Sequence, residues 1–396
     1  MLKGKESWMG GDLRSGGGFS TRCVHAGTYE DTLAGGVNTP IFASSAFRVP
    51  GPLGTVVYPR YQNIPGQKAV AEKIAALENG EAGIVVASGM AAIGSVFLAF
   101  CKAGDHVVLQ RDLYGGTVGL AQRELPRRGI DVTWVDSQNP GDFAAALRPE
   151  TRLIHLETPS NPLLKILDLE ALARLARPRG VLTVVDNTFA TPVNQNPLDL
   201  GIDIVVHSGT KYLNGHSDLC CGAVVARSEL IAAVVPMVSL YGPSLSPYDC
   251  FLLERGLKTL ALRVARHNEN AMALAAFLAK DPRVERVFYP GLADHPGHGV
   301  AARQMRGFGG MLSFEPRGDA DTAHKVMRRL KLFTPAVSLG GVESLACFPV
   351  ETSHASVPPA DREKMGIRDT LIRLSVGIED TEDLLADLDD ALREVR

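Results

Sequence analysis

No two cysteines of this sequence are spaced C-x-x-C, and no strand-like run is followed by G-x-G-x-x-G. The first absence removes zinc ribbons and thioredoxin-like dithiols, and no other metal framework matches the spacing. The second removes the fingerprint that an NAD-type Rossmann oxidoreductase needs after its first strand. Charge of one sign is also missing. With 41 Lys+Arg against 44 Asp+Glu, the net charge is −3, so there is no electrostatic case for nucleic acid or an anionic membrane as partner. The six cysteines (23, 101, 220, 221, 250 and 347) read as reduced, mostly buried thiols of a cytoplasmic protein, with Cys220–Cys221 on a buried strand. Met1 to Gly18 has no apolar h-region and reads as a flexible tail, not a signal peptide. Ala82 to Cys101 is free of charge, yet Ser88-Gly89-Met90 interrupts it, so a strand, a turn and a helix are expected in place of a membrane span. His295 and His298 on a Gly/Pro loop are too few to hold a metal.

What is there is an alternation. Strands are expected at 83–87, 106–109, 131–135, 153–157, 182–186 and 204–207, and helices at 68–77, 91–100, 117–127, 142–146 and 169–176. Continuous apolar runs such as Val181–Val185 suit strands buried on both faces of a mostly parallel sheet with helices on either side, an α/β fold. After Gly256 the pattern changes to one long helix (257–278), short strands at 284–289, 310–314 and 371–376, and helices at 322–330 and 381–393. The expected division is an N-terminal tail and intersubunit segment (1–60), an α/β domain (61–256) and a smaller C-terminal α+β domain (257–396).

Ligands of open α/β sheets sit beyond the carboxyl ends of the strands. There the sequence places Ser88-Gly89-Met90, suited to an anion at a helix N-terminus. Tyr114 stands among glycines, and Asn161 follows Thr158-Pro159-Ser160. Asp186-Asn187-Thr188 and His207-Ser208-Gly209-Thr210-Lys211 complete the edge. Alone, each is ordinary: an Asp ending a strand is commonly a helix cap, and a Lys commonly a surface charge. Together they suit pyridoxal 5′-phosphate (PLP), which needs donors for its phosphate, a carboxylate for its ring nitrogen and an amine for its aldehyde.

These residues stand in motifs that resemble the Cys/Met-metabolism PLP enzymes of fold type I, the trans-sulfuration family of cystathionine γ-synthase, cystathionine γ- and β-lyases and methionine γ-lyase. The matching text includes Ser88-Gly89-Met90-Ala91, Tyr114-Gly115-Gly116-Thr117, Ser160-Asn161-Pro162 and Asp186-Asn187-Thr188. It continues through Ser208-Gly209-Thr210-Lys211-Tyr212, Ser338-Leu339-Gly340-Gly341 and Arg373-Leu374-Ser375-Val376-Gly377. The resemblance implies an aspartate-aminotransferase-like fold in which Lys211 carries PLP as a Schiff base and shuttles protons. It implies that Asp186, with Thr188 beside it, serves the ring nitrogen, and that Tyr114 stacks on the ring and helps protonate the leaving group. Ser88, Gly89, Met90, Ser208 and Thr210 would hold the phosphate. Arg373 would clamp the substrate carboxylate, with Asn161, Ser338 and Val337 also facing substrate.

The segment containing Tyr58 and Arg60 resembles the family's Tyr-x-Arg, which reaches the phosphate of a neighbouring subunit, so the resemblance further implies a homotetramer built from dimers with shared sites. An extra Ile64 precedes Pro65 relative to the family pattern. The implied chemistry is β/γ-elimination or γ-replacement on sulfur-containing or O-acyl-homoserine amino acids. Where cystathionine-handling relatives carry Glu and Arg, this chain has Val337 and Gly119; where methionine γ-lyases carry Cys it has Gly116. The expected leaving-group pocket is compact and less polar, as in a γ-lyase giving 2-oxobutanoate, ammonia and a thiol, with γ-replacement as the alternative. A non-catalytic PLP-binding protein is the rival of another class; intact Lys211, Asp186, Tyr114 and Arg373 argue against it.

Overall fold

A computed structural model describes residues 17–49, 56–355, 357 and 359–395. Most of the expected flexible tail, and part of the segment leading to Tyr58, lie outside the described residues.

The run Leu182–Asp186, mostly apolar up to its last residue, forms the middle of a seven-stranded sheet. The strands are β1 (Ala82–Val86), β2 (His106–Gln110), β3 (Asp131–Val135), β4 (Thr151–Glu157), β5 (Leu182–Asp186), β6 (Ile204–Ser208) and β7 (Gly222–Ala226), in the order β1-β7-β6-β5-β4-β2-β3. All run parallel except β7, which lies antiparallel between β1 and β6. Both faces are covered, which is why the strands show no polar alternation. On one face Val184, Val206 and Val224 pack with the helices Gly89–Phe100, Gly115–Arg127 and Ser228–Tyr241. On the other, Ile154 and Val185 pack with Leu169, Leu172 and Ala176 of the helix Leu169–Ala176, which repeats apolar residues at helical spacing. Asp168 caps that helix by accepting the Ala171 N–H.

A second sheet, β8 (Val284–Phe288), β9 (Met311–Pro316), β10 (Thr334–Pro335), β11 (Leu345–Cys347) and β12 (Ile372–Ser375), has the order β10-β11-β12-β9-β8. The 83–87 and 91–100 patterns emerge as β1 and the helix Gly89–Phe100. No helix among the described residues is long and apolar enough to cross a membrane.

Three expectations are corrected. The helix expected at 257–278 begins at Leu260 and ends at Leu278 as expected, and a separate helix, Pro247–Leu257, not among the expected ones, ends just before it. Gly256 packs so closely that a Cβ there would lie 2.3 Å from the Asn214 carbonyl oxygen, and buried Arg263 donates to the carbonyls of Gly256 and Tyr212, both at 2.8 Å. A tertiary contact thus breaks a pattern that is locally helical. Cys220–Cys221 are not on a strand: both precede β7, Cys220 exposed and Cys221 buried. β7 itself, a run of small residues, was not among the expected strands. Ile64 proves to be fully buried at the head of the helix Pro65–Leu77.

Candidate active site

Parallel strands bring their carboxyl ends to one edge, and there the side chains meet. Glu157 ends β4, Asp186 ends β5 and Ser208 ends β6, while Ser88-Gly89 follows β1. Lys211 stands in the turn after β6, where its amide donates to the Ser208 carbonyl. Its Nζ donates to Ser338 Oγ at 2.5 Å. Burial, and secondarily the Arg373 guanidinium, pull the Lys211 ammonium down to about 8, so about a tenth is a neutral, nucleophilic amine at pH 7, against a negligible share for an ordinary lysine.

Arg373 comes from β12 of the second sheet. Its Nη1 donates to Asn161 Oδ1 at 2.9 Å and its Nη2 to the Ser338 carbonyl at 3.2 Å, and its buried Nε has no protein partner. Ser338 therefore holds both cations, and it does so at φ +83°, a backbone region that L-residues adopt at a cost of about 1–3 kcal/mol.

Asp186 Oδ1 accepts from the Thr188 amide at 3.0 Å and the Thr188 hydroxyl at 2.5 Å; the same hydroxyl oxygen accepts from the Ser208 amide at 2.8 Å. Burial raises the Asp186 carboxyl, against the lowering effect of Thr188, so a cationic partner at this position would be strongly favoured. Ser88 accepts the Ala91 N–H and caps the helix Gly89–Phe100, whose first N–H groups have no intrahelical partner. At Gly89 a Cβ would stand 2.8 Å from Ser208 Cβ, so only glycine leaves room there. The Thr210 hydroxyl pairs with the Cys221 backbone, donating to its carbonyl and accepting from its amide.

Tyr114 caps the approach, 47% exposed. A Cβ at Gly116 would meet Tyr114 Cε1 at 2.6 Å and Met90 Sδ at 2.7 Å, so the bare glycine lets ring and thioether close together. Val337 is 66% exposed beside Ser338, and nothing lies within 4 Å of a Cβ at Gly119. Tyr58 and Arg60 are not brought to this cluster by their own chain: Arg60 lies over the Tyr58 and Tyr61 rings and donates to the Ser239 carbonyl.

Glu157 joins the site without any motif to announce it; its carboxylate takes the amides of Tyr114 and Asn161. The expected His-Pro-Gly-His loop is held by its own contacts: His295 Nδ1 accepts the Gly297 amide and His298 Nδ1 pairs with the Pro290 carbonyl. A cavity of about 730 Å³ lined by Lys165, Arg286 and His295 contains none of the Lys211 cluster. The cluster is the better candidate because it gathers an amine of lowered pKa, a buried carboxylate and a guanidinium at the carboxyl edge of the sheet.

This donor set fits PLP: helix-end amides and Ser208 for a phosphate, Asp186 for a ring nitrogen, Lys211 for an aldehyde, and a glycine-lined cradle under them. The fold and the site define a PLP-dependent enzyme of fold type I. The sequence profile described as "Cys/Met metabolism PLP-dependent enzyme" matches residues 20–393, and the chain belongs to that family. It is 44% identical to an L-methionine gamma-lyase of Fusobacterium nucleatum over 391 residues, covering 96% of this chain and 98% of the relative. It is 47% identical to a cystathionine beta-lyase of Coxiella burnetii over 379 residues, covering 94% and 97%. The crystal structure of cystathionine gamma synthase from Xanthomonas oryzae, in complex with aminoacrylate and cysteine, superposes with a TM-score of 0.92 at 43% identity, covering 96% of this chain and 98% of that one. The protein is therefore a PLP-dependent enzyme of trans-sulfuration chemistry, in which β- or γ-substituents of amino acids are eliminated or replaced.

Proposed function

We propose that this enzyme is a γ-lyase that takes methionine or homocysteine at least as well as cystathionine, releasing 2-oxobutanoate, ammonia and a thiol. The observation that carries this reading is the rim of the site. Gly119 and exposed Val337 present no charged group to the distal end of a substrate, although the space at Gly119 is open. Bound PLP supplies an aldehyde for the substrate amine and a ring that takes up the electron pair left at Cα. The rest is done by side chains. Arg373 receives the α-carboxylate on its fork, already aligned by Asn161 and the Ser338 carbonyl. Lys211 would take the Cα proton and hand it on to the aldehyde carbon of the bound cofactor, which frees the amine to take one from Cβ; its lowered pKa makes it a competent base near neutrality. Tyr114, at the solvent-facing side, delivers a proton to the departing sulfur. Asp186 keeps the ring nitrogen protonated; Gly89, Met90, Ser88, Ser208 and Thr210 hold the phosphate.

A second reading is γ-replacement, with an O-acyl-homoserine as substrate; the open approach past Tyr114 and Val337 favours it by admitting a second thiol. The site reading extends to a partner. Tyr58, Tyr61, Leu240, Tyr241, Tyr248 and Leu262 are all exposed, an apolar surface suited to another copy, and Arg60 would reach the partner's phosphate site in a dimer that pairs into a tetramer. A chain division near 256–257 is part of the same proposal, supported by one sheet lying within 82–226 and the other within 284–375. So is a cytoplasmic location, supported by six free thiols.

The test is a panel of methionine, homocysteine, cystathionine and O-acetylhomoserine with and without thiol, following 2-oxobutanoate, pyruvate and replacement products. Methionine or homocysteine should give 2-oxobutanoate with kcat/KM at least equal to that of cystathionine. A preference for cystathionine by orders of magnitude would sink the reading. Lys211→Ala should lose the visible band of bound cofactor and turnover, and retention of both would overturn the assignment.

A further inference from the structure

We propose that Glu157 is a positioning residue that seats Tyr114 and Asn161 as one unit over the cofactor site. The proposal rests on the reading of Lys211, Tyr114 and Asn161 as site residues, and goes beyond it by naming what holds them.

Glu157 ends β4 and is 4% exposed, paired in register with Asp186 of β5. Its Oε2 accepts the Tyr114 amide at 2.8 Å and its Oε1 the Asn161 amide at 3.2 Å, so one carboxylate ties the loop after β2 to the loop after β4. Its own amide donates to Gln110 Oε1 at 2.9 Å, at the end of β2, so the carboxylate is anchored from behind. Asn161 in turn accepts from Arg373. Glu157 thus holds the backbone of Tyr114 directly and reaches the Arg373 guanidinium through Asn161.

Burying a carboxylate beside a second carboxylate is an expensive way to join two loops. Burial first, and Asp186 next, push the Glu157 carboxyl well up, while the two amides pull it down. Only a carboxylate accepts with both oxygens. Glutamine offers one acceptor and turns an NH₂ toward the other amide. The identity of the residue therefore matters at constant size.

The experiment uses the holoenzyme with Glu157→Gln, Glu157→Asp, Tyr114→Ala and the Glu157→Gln/Tyr114→Ala double variant. The readouts are visible circular dichroism of bound PLP, the PLP dissociation constant, and kcat and KM with methionine. Glu157→Gln should keep its far-UV spectrum, lose at least about half of the visible dichroism and lower kcat/KM by about 10–100-fold, the range for a buried charge-assisted hydrogen bond. Its effect should be non-additive with Tyr114→Ala, the double variant losing several-fold less than the product of the single losses. Glu157→Asp, which keeps both oxygens, should recover part of the dichroism. Unchanged dichroism and kinetics in Glu157→Gln, or strictly additive losses, would overturn the proposal. If Glu157→Gln does not fold, Glu157→Asp takes its place in the cycle under the same criteria. Failure of Lys211→Ala and Tyr114→Ala to impair the enzyme would instead remove the site reading itself, so the two failures are separable.

Discussion

At the scale of single residues, the site consists of groups held in uncomfortable states by their neighbours. Lys211 is a half-buried cation lowered to about 8 from 10.5, and Ser338 sits at positive φ to reach it. Because the folded pKa lies below the unfolded one, burying the charged form destabilises the cofactor-free protein below about pH 8. That penalty fades as pH rises through 8 toward 10.5, where the unfolded chain binds more protons. Cofactor-free Lys211→Met should therefore be more stable than cofactor-free wild type at pH 7, by about 1–3 kcal/mol after solvent screening, with the gap closing toward pH 10.5. Urea titrations at several pH values measure this, and a gap that widens with pH would contradict the buried-amine description. Lys211, Asp186 and Asn161 were legible in the sequence because each follows a strand, and a parallel sheet sends such residues to one edge. Glu157, which ends β4 as Asp186 ends β5, was not, because no motif singles it out; its partners are backbone amides, which carry no sequence signal.

At the scale of elements, the parallel strands were readable since each is a short apolar run between helical periods. β5 and β3 emerge with the expected bounds. β7 was hidden because Gly222-Ala223-Val224-Val225-Ala226 is built of small residues that mark no period. The break at 258–259, between Pro247–Leu257 and Leu260–Leu278, was hidden for a different reason: Gly256 packs against Asn214, far away in sequence. The break makes a prediction with an inverted sign. Gly→Ala inside a helix ordinarily stabilises by roughly 0.5–1 kcal/mol. At Gly256 the new methyl would strike the Asn214 backbone, so Gly256→Ala should destabilise by about 1–3 kcal/mol in denaturant unfolding. It should also loosen the turn that carries Lys211.

At the scale of the molecule, the two sheets divide the labour. Lys211, Asp186, Ser208 and Gly89 belong to the first sheet and its turns, Arg373 to the second, with Ser338 in the segment between β10 and β11. One helix, Leu260–Leu278, enters both cores: Leu260 and Val264 pack with the first, Leu274 and Leu278 with the second. If Arg60 serves the partner's site, Lys211→Ala and Arg60→Ala proteins should each be weak alone. Mixing, unfolding and refolding them together should restore activity, up to about a quarter of wild type, because half the dimers are mixed and each holds one intact site. No gain on mixing would place Arg60 outside the neighbour's site.

The antiparallel strand of the first sheet has a consequence along the chain. Ser208 and Gly222 face each other in register, so the loop bearing Lys211 opens and closes on one rung of the ladder. Every other loop at this edge departs toward a helix and returns only after a long excursion. The reactive amine is thus fenced in by its immediate neighbours in the chain. In chain order the segment that fixes this amine is complete at β7, long before β12 brings Arg373.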